Sequence, residues 1–248
     1  MAPRGSVASD AMDLGLAGKV ALVTAASRGL GRASARALVD EGALVAINSR
    51  DPERLRSTAE ELGHDVLTLP ADVTEADAPR RLVEATVERF GALHVLVANA
   101  GGPPKGTALD VDEATLEAAI NANLLTSIRL VRESVPHMRA AGWGRICLIA
   151  SSSVKQPIPN LATSNTARAG LWGWAKTAAQ DLVDEGITLN LACPGLHATD
   201  RIKDLGFAGP LGDPADFGRV VAFLCSQPAG FVSGAALQVD GAGTLGLL

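Results

Sequence analysis

The feature that most constrains this chain is an alternation of short apolar runs with longer amphipathic segments, sustained from Lys19 to the end. Val20–Thr24 reads as a first strand and Gly31–Asp40 as the helix that follows it. Leu44–Ser49 and Val66–Leu69 read as the next strands, with helices over Pro52–Leu62 and Glu75–Phe90. Proline near the start of the former helix suits a first helical turn, where its missing N–H would have had no partner. Leu93–Ala98 is an unbroken apolar run, the pattern of a strand covered on both faces. A long helix is expected from about Asp112 to Ala140. After it come strand Arg145–Ala150, helix Ala162–Val183, strand Ile187–Cys193, helix Pro214–Ser226 and a last strand, Ala236–Asp240. Strands separated by crossover helices lie parallel, and their connections are right-handed. The expected fold class is therefore α/β, a doubly wound parallel seven-stranded sheet with helices on both faces.

A chain of 248 residues with 47% apolar side chains suits one domain of this kind, and no repeat, charge run or linker divides it. We expect that domain over residues 16–248, preceded by a loose Ala/Gly/Ser-rich tail over residues 1–15. The net charge of −5 points to neither nucleic acid nor an anionic membrane as partner. No apolar run reaches the length of a membrane span, and the N-terminus has no secretory h-region. Cys147, Cys193 and Cys225 lie in apolar stretches and form no CxxC pair, which reads as buried thiols in a reducing cytoplasm. The four histidines are scattered, so no metal site is expected.

The first strand runs into Thr24-Ala25-Ala26-Ser27-Arg28-Gly29-Leu30-Gly31. A glycine-rich turn between strand and helix lets backbone amides approach a pyrophosphate at the helix N-terminus, the mark of a Rossmann-type domain. A glycine pair after a strand is often only a turn; its place in the first strand–helix unit of an alternating chain favours phosphate binding. The second strand ends Ile47-Asn48-Ser49-Arg50 and offers no acid where a ribose 2′-hydroxyl would be read. Arg50, with Arg28 in the turn, forms either a clamp for a 2′-phosphate or two solvated surface cations. The clamp implies NADP(H); Asp51 stands one residue too late for the usual ribose contact.

With these motifs in order, the chain resembles the short-chain dehydrogenase/reductases, especially the β-ketoacyl carrier-protein reductases, from about Leu16 to Gly243. The turn is similar to that family's TGxxxGxG, with Ala25 in place of the first glycine. By this resemblance the cofactor contacts are Thr24, Ala26, Ser27, Arg28, Gly29, Leu30, Gly31, Asn48, Ser49, Arg50, the adenine-contacting pair Asp72 and Val73, and the Asn99-Ala100-Gly101 motif. Asn190 with Pro194 and Gly195 resembles the NxxxPG segment, and His197 and Thr199 then fall beside nicotinamide and phosphate. Val239-Asp240-Gly241 resembles the terminal VDGG. Asn123 and Ser151 fall on the family's catalytic asparagine and serine.

The family's Tyr-x-x-x-Lys does not appear. Thirteen residues after Ser151 stands Ser164, and four further on stands Arg168; the chain contains no tyrosine at all. A tyrosine beside a lysine cation has a lowered pKa and donates a proton near neutrality, whereas serine is a far weaker acid. Arginine holds its proton and relays none, but it still hydrogen-bonds ribose hydroxyls and keeps a positive charge. The candidate catalytic set is thus Asn123, Ser151, Ser164, Arg168 and His197, with Arg168 and His197 also touching cofactor. His197 is the titratable candidate for proton donor, or else a loop residue that only contacts cofactor; Lys155 is another candidate, or a solvated loop charge.

Three functions are compatible with this site. The first is an NADP(H)-dependent oxidoreductase acting on a carbonyl or alcohol of a small or medium substrate, with an atypical proton source. The second is a redox-silent NADP(H)-binding sensor or partner protein. The third is a lyase or isomerase using the same pocket. Only Asp200–Gly209 separates Thr199 from Pro210, a short lid that implies an open pocket. The loops Gly101–Pro104 and Gln156–Pro159 suggest apolar or mixed walls and no charged substrate group. The resemblance implies a homo-oligomer, tetramer or dimer; Leu116, Ile120, Leu124, Leu171, Trp172 and Trp174 suit either its interface or the core.

Overall fold

The computed structural model describes residues 12–63, 65–204 and 209–247. Its seven strands are β1 (Val20–Val23), β2 (Leu44–Ser49), β3 (Leu67–Pro70), β4 (Val95–Ala98), β5 (Gly144–Ile149), β6 (Ile187–Pro194) and β7 (Ala236–Val239). They form one sheet in the order β3-β2-β1-β4-β5-β6-β7. Every pairing is parallel, in registers such as Val20 with Leu44 and Val97 with Cys147. The order reverses between β1 and β4, so their carboxyl ends diverge and open a crevice there.

The helices are α1 (Gly29–Asp40), α2 (Pro52–Leu62), α3 (Ala78–Phe90), α4 (Glu113–Ile120), α5 (Thr126–Ala141), α6 (Ala162–Leu182), α7 (Asp200–Asp204) and α8 (Pro214–Leu224). Alternate strand residues point to opposite faces and build two cores. Leu22, Leu96, Ile146 and Leu189 pack with Leu130 and Leu171 beneath α3, α5 and α6. Val23, Ile47, Val97 and Cys147 pack with Leu38, Phe217 and Val221 beneath α1 and α8. Gly218 lets α8 lie directly on α1, since a Cβ there would stand 2.3 Å from the Ala33 carbonyl oxygen. Among the described residues no helix is long and apolar enough to cross a membrane.

Three departures from the sequence reading matter for the site. The expected long helix is two helices, α4 and α5, joined by a π-turn over Asn121–Leu125. Such a turn widens the helix by one residue and turns a side chain off the regular face; here that residue is Asn123. A short helix, α7, which the sequence reading did not place, opens the short lid segment after Thr199. The tail expectation splits. Residues 1–11 lie outside the described residues, but Leu14 is docked, its carbonyl accepting the Gln227 amide at 2.8 Å.

Candidate active site

The first half of the site is the turn from β1 into α1. Thr24, fully buried, bridges two strand ends: its hydroxyl donates to the Asn99 carbonyl at 2.7 Å and accepts the Asn99 amide at 2.9 Å. The Asn99 side chain donates to the Ala25 carbonyl at 3.3 Å. Ala26 is buried and ties the turn to β2 by donating its amide to the Asn48 carbonyl at 2.8 Å. Gly31 must be glycine, because a Cβ there would stand 2.4 Å from the Ala25 carbonyl oxygen and 2.9 Å from the Asn99 amide nitrogen. Gly29 has φ +56°. The N-cap of α1, Arg28, makes no side-chain capping bond, and the first turn carries no acid, so the amides around Leu30 are free for an anion. These residues fit a pyrophosphate.

Ala25 occupies a left-handed conformation, φ +47°, where its methyl group crowds the following carbonyl. Ala25→Gly is therefore expected to stabilise the chain by about 0.5–1.5 kcal/mol after allowance for backbone entropy. That is an increase of roughly 1–5 °C in Tm, readable by calorimetry. A lower Tm would mean that the turn carries no strain.

Beyond the turn lies a cleft of about 730 Å³ lined by Ser27, Arg28, Gly29, Arg54, Thr199 and Asp200, among others. The hydroxyls of Ser27 and Ser49 meet at 2.8 Å, and Thr199 lies 3.5 Å from where a Gly29 Cβ would be. Arg50 is largely exposed, and its guanidinium is 3.6 Å from the Asp72 carboxylate. Burial pushes the Asp72 carboxyl up, but the amide and hydroxyl of Thr74 and the charge of Arg50 outweigh it and hold it low. Val73 is core. The Asn48 side chain is spent on structure, donating to the Leu69 and Ala71 carbonyls at 2.8 and 3.1 Å. Asn190 is likewise spent, donating to the Val232 carbonyl at 2.7 Å and accepting from the Ala235 amide. Gly195 makes room for the turn after β7, since a Cβ would stand 2.7 Å from that of Asp240; Ala100 is half-buried and Gly101 exposed.

The second half gathers around Arg168 on α6, which is 6% exposed. One terminal nitrogen donates to the Ile149 carbonyl at the end of β5 at 2.8 Å, and the other to the Asn123 Oδ1 at 2.7 Å. The π-turn sets Asn123, fully buried, to accept that bond. The same turn lets Asn121 donate to the Thr74 carbonyl at 3.1 Å, which joins the long helix pair to the Asp72 loop. Ser151 caps the short helical turn Ser152–Val154, its hydroxyl accepting the Ser153 amide at 3.1 Å. Ser164, one turn before Arg168, is 8% exposed. Burial brings the Arg168 guanidinium down to about 10, so it remains a cation at neutral pH. The site thus holds a fixed charge one turn of α6 from Ser164 and anchored to the end of the strand that leads into Ser151.

His197 does not turn toward this cluster. Its ring packs edge-on to Phe217, with centroids 5.2 Å apart, and lies against Gly212, while Nδ1 is 3.3 Å from the Gly195 carbonyl oxygen. Lys155 is half-buried, its Nζ 5.8 Å over the Trp172 ring. Asn165 pins the loop after it, accepting the Ile158 amide and donating to the Ile158 carbonyl at 2.9 Å. One residue absent from the sequence reading enters: Arg201 on α7 donates to the Gly102 and Pro103 carbonyls at 2.9 and 3.1 Å. Gly102 is the only hint in the sequence, since a Cβ there would meet the Arg201 guanidinium at 2.5 Å.

Comparisons with known proteins bear on the family. A profile of the short chain dehydrogenase family matches residues 19–206. The chain is 34% identical over 246 residues to the (2S)-[(R)-hydroxy(phenyl)methyl]succinyl-CoA dehydrogenase subunit BbsD of Thauera aromatica, covering 94% of this chain and 99% of that one. It is 32% identical to the 3-oxoacyl-[acyl-carrier-protein] reductase FabG of Vibrio cholerae, covering 92% and 98%. Among solved structures, the L-sorbose reductase of Gluconobacter frateurii, complexed with NADPH and L-sorbose, superposes with a TM-score of 0.88 at 30% identity, covering 93% and 98%. The parallel sheet, the glycine turn at its switch point and these likenesses together show that the chain belongs to the short-chain dehydrogenase family and is an oxidoreductase of it.

Proposed function

We propose that this oxidoreductase is NADP(H)-dependent, interconverts a carbonyl and an alcohol on a small or medium molecule, and takes its proton from a source other than tyrosine. The observation that carries this reading is Arg168. It keeps a buried cation braced between Asn123 and β5 in the position where the resemblance expects lysine. Two named relatives support the substrate class, one a reductase of 3-oxoacyl groups and the other a sorbose reductase complexed with NADPH.

When bound, the nicotinamide supplies or accepts the hydride. Everything else falls to the chain. Thr24, Gly29 and Gly31 shape the phosphate turn, and Arg28 and Arg50 would hold the 2′-phosphate. Ser151 and Ser164 orient the carbonyl oxygen. The Arg168 charge stabilises the alkoxide that forms there, an electrostatic contribution that requires no proton transfer in the slow step. The proton then comes from water or Lys155 at the open side of the pocket. The packing of His197 supports a role in shaping the loop.

A redox-silent NADP(H)-binding protein is the second reading, favoured by the absence of tyrosine. The reading extends to a homo-oligomer, supported by apolar residues such as Phe231 and Leu237 left at the surface, and to the cytoplasm, supported by three buried thiols without a disulfide.

Cofactor choice has a direct test. Charge-assisted contacts to a phosphate are each worth about 1.5–3 kcal/mol. Arg28→Ala/Arg50→Ala is expected to weaken NADPH binding by roughly 10²-fold or more, with NADH binding little changed. Titration by cofactor fluorescence reads both. Equal losses for the two cofactors would contradict the clamp.

A further inference from the structure

Asn123 reaches Arg168 because the π-turn over Asn121–Leu125 takes it off the regular helix face. Turns of this kind are rare interruptions of α-helices and gather at functional sites. Nothing in the five side chains favours one over a regular helix, so contacts made outside the helix must hold it. Ala122, Leu124 and Leu125 have no polar group to hold it with. Asn123 spends its oxygen on Arg168 at 2.7 Å and its amide on the Ala119 carbonyl at 3.4 Å. The remaining polar side chain of the turn is Asn121.

Asn121 is fixed on both sides. Its Nδ2 donates to the Thr74 carbonyl at 3.1 Å, and its Oδ1 accepts from Arg129 Nη1 at 2.7 Å. A guanidinium only donates and a carbonyl only accepts, so these partners leave one orientation for the amide. The Asn121 backbone carbonyl accepts the Thr126 amide, the bond that closes the π-turn, and also the Thr126 hydroxyl at 2.8 Å. The Thr74 end is itself held. Its amide and hydroxyl donate to the Asp72 carboxylate at 2.9 and 2.7 Å, and Asp72 is 3.6 Å from Arg50. A line of contacts therefore runs from Arg50, just past β2, through Asp72, Thr74 and Asn121 to the turn that aims Asn123 at Arg168.

We propose that Asn121 is a positioning residue for Arg168: by tying the π-turn to the Thr74 carbonyl, it keeps the Asn123 oxygen where it braces the guanidinium. The inference rests on the reading above, in which the Arg168 charge stabilises the alkoxide. Without the tie the helix relaxes toward regular spacing, and Asn123 turns away from Arg168. The guanidinium is then left on the Ile149 carbonyl alone. Asparagine suits this task and aspartate does not. Aspartate keeps the acceptor for Arg129 but sets a carboxylate oxygen against the Thr74 carbonyl.

The test pairs calorimetry with kinetics. Asn121→Ala, Arg168→Met and the double variant are melted beside the natural chain. Asn121→Ala is expected to lower Tm by about 4–8 °C in the natural chain, and by about 2–4 °C less where Arg168 is already Met. Asn121 and Arg168 share no hydrogen bond, so independent sites would give additive losses. In the kinetics, ketone reduction is followed at saturating NADPH. Asn121→Ala should lower kcat about 10- to 100-fold while NADPH affinity shifts less than about threefold. Asn121→Asp should lose kcat to a similar extent. A residue that only supports the fold would lower Tm and leave kcat alone. Additive Tm losses, an unchanged kcat in Asn121→Ala, or the natural kcat in Asn121→Asp each overturn the inference. Should Asn121→Ala not fold, Asn121→Asp replaces it in the thermal cycle. If the natural chain turns over no ketone, the cycle decides alone. Coupled losses then uphold the positioning role while the oxidoreductase reading fails, and additive losses overturn the inference.

Discussion

A Ser164→Tyr/Arg168→Lys variant is expected to reduce ketones about 10²–10⁴-fold faster than the natural chain, the range that a positioned general acid contributes. Ser164 stands one helical turn from Arg168 and thirteen residues after Ser151, so the new phenol would rise from the same face of α6. Lysine at 168 would hold a charge beside it and lower its pKa toward neutrality. Ser164→Tyr alone should give less, because Arg168 is fixed on Asn123 and Ile149 and cannot follow the ring. The readout is NADPH oxidation at saturating ketone, with cofactor affinity measured for each form. No gain in the double variant, with cofactor binding intact, would mean that the pocket does not present a carbonyl to Ser164.

Arg168 should matter to folding as much as to chemistry. Arg168→Met leaves the Asn123 Oδ1 and the Ile149 carbonyl buried without their donor, at about 1–3 kcal/mol each. Relief of the buried charge offsets part of this, so the expected loss is roughly 2–4 kcal/mol, or about 5–15 °C in Tm. Adding Asn123→Leu removes one orphaned acceptor, and the second substitution should cost far less in that background than in the natural chain. Calorimetry on the four proteins of the cycle measures the coupling. Additive losses would show that the two side chains do not support one another. The charge itself is indifferent to pH over the working range. Burial depresses the Arg168 pKa only to about 10, below its unfolded value. The folded chain therefore gains stability from this group only as pH rises from about 10 toward the unfolded value, and none near neutrality.

The sheet was legible because most of its strands are short apolar runs set between longer amphipathic helices, and length together with periodicity separates the two. The glycine turn was legible for the same local reason: Gly31 answers a clash inside its own strand–helix unit. The less legible features are those settled between distant segments. Asn48 stands where a strand end should meet cofactor, but its side chain reaches across to Leu69 and Ala71, a choice that only the β2–β3 register decides. His197 follows Pro194-Gly195 as expected, yet whether its ring faces the pocket depends on Phe217 and Gly212. The π-turn leaves no compositional trace, because Asn121-Ala122-Asn123-Leu124-Leu125 would sit equally well in a regular helix. Arg201 meets Gly102 across 99 residues, a contact no local pattern announces.

The measurement that tests the central claim most directly is NADPH consumption by the natural chain over a panel of ketones, diketones, quinones and acetoacetyl thioesters from pH 6 to 9. The account predicts slow but measurable turnover. Its rate should be nearly flat across that range, because the stabilising charge is an arginine that stays protonated and the proton comes from outside the cluster. A chain that binds NADPH and turns over none of these carbonyl compounds at any pH would contradict the account and leave a redox-silent binding protein.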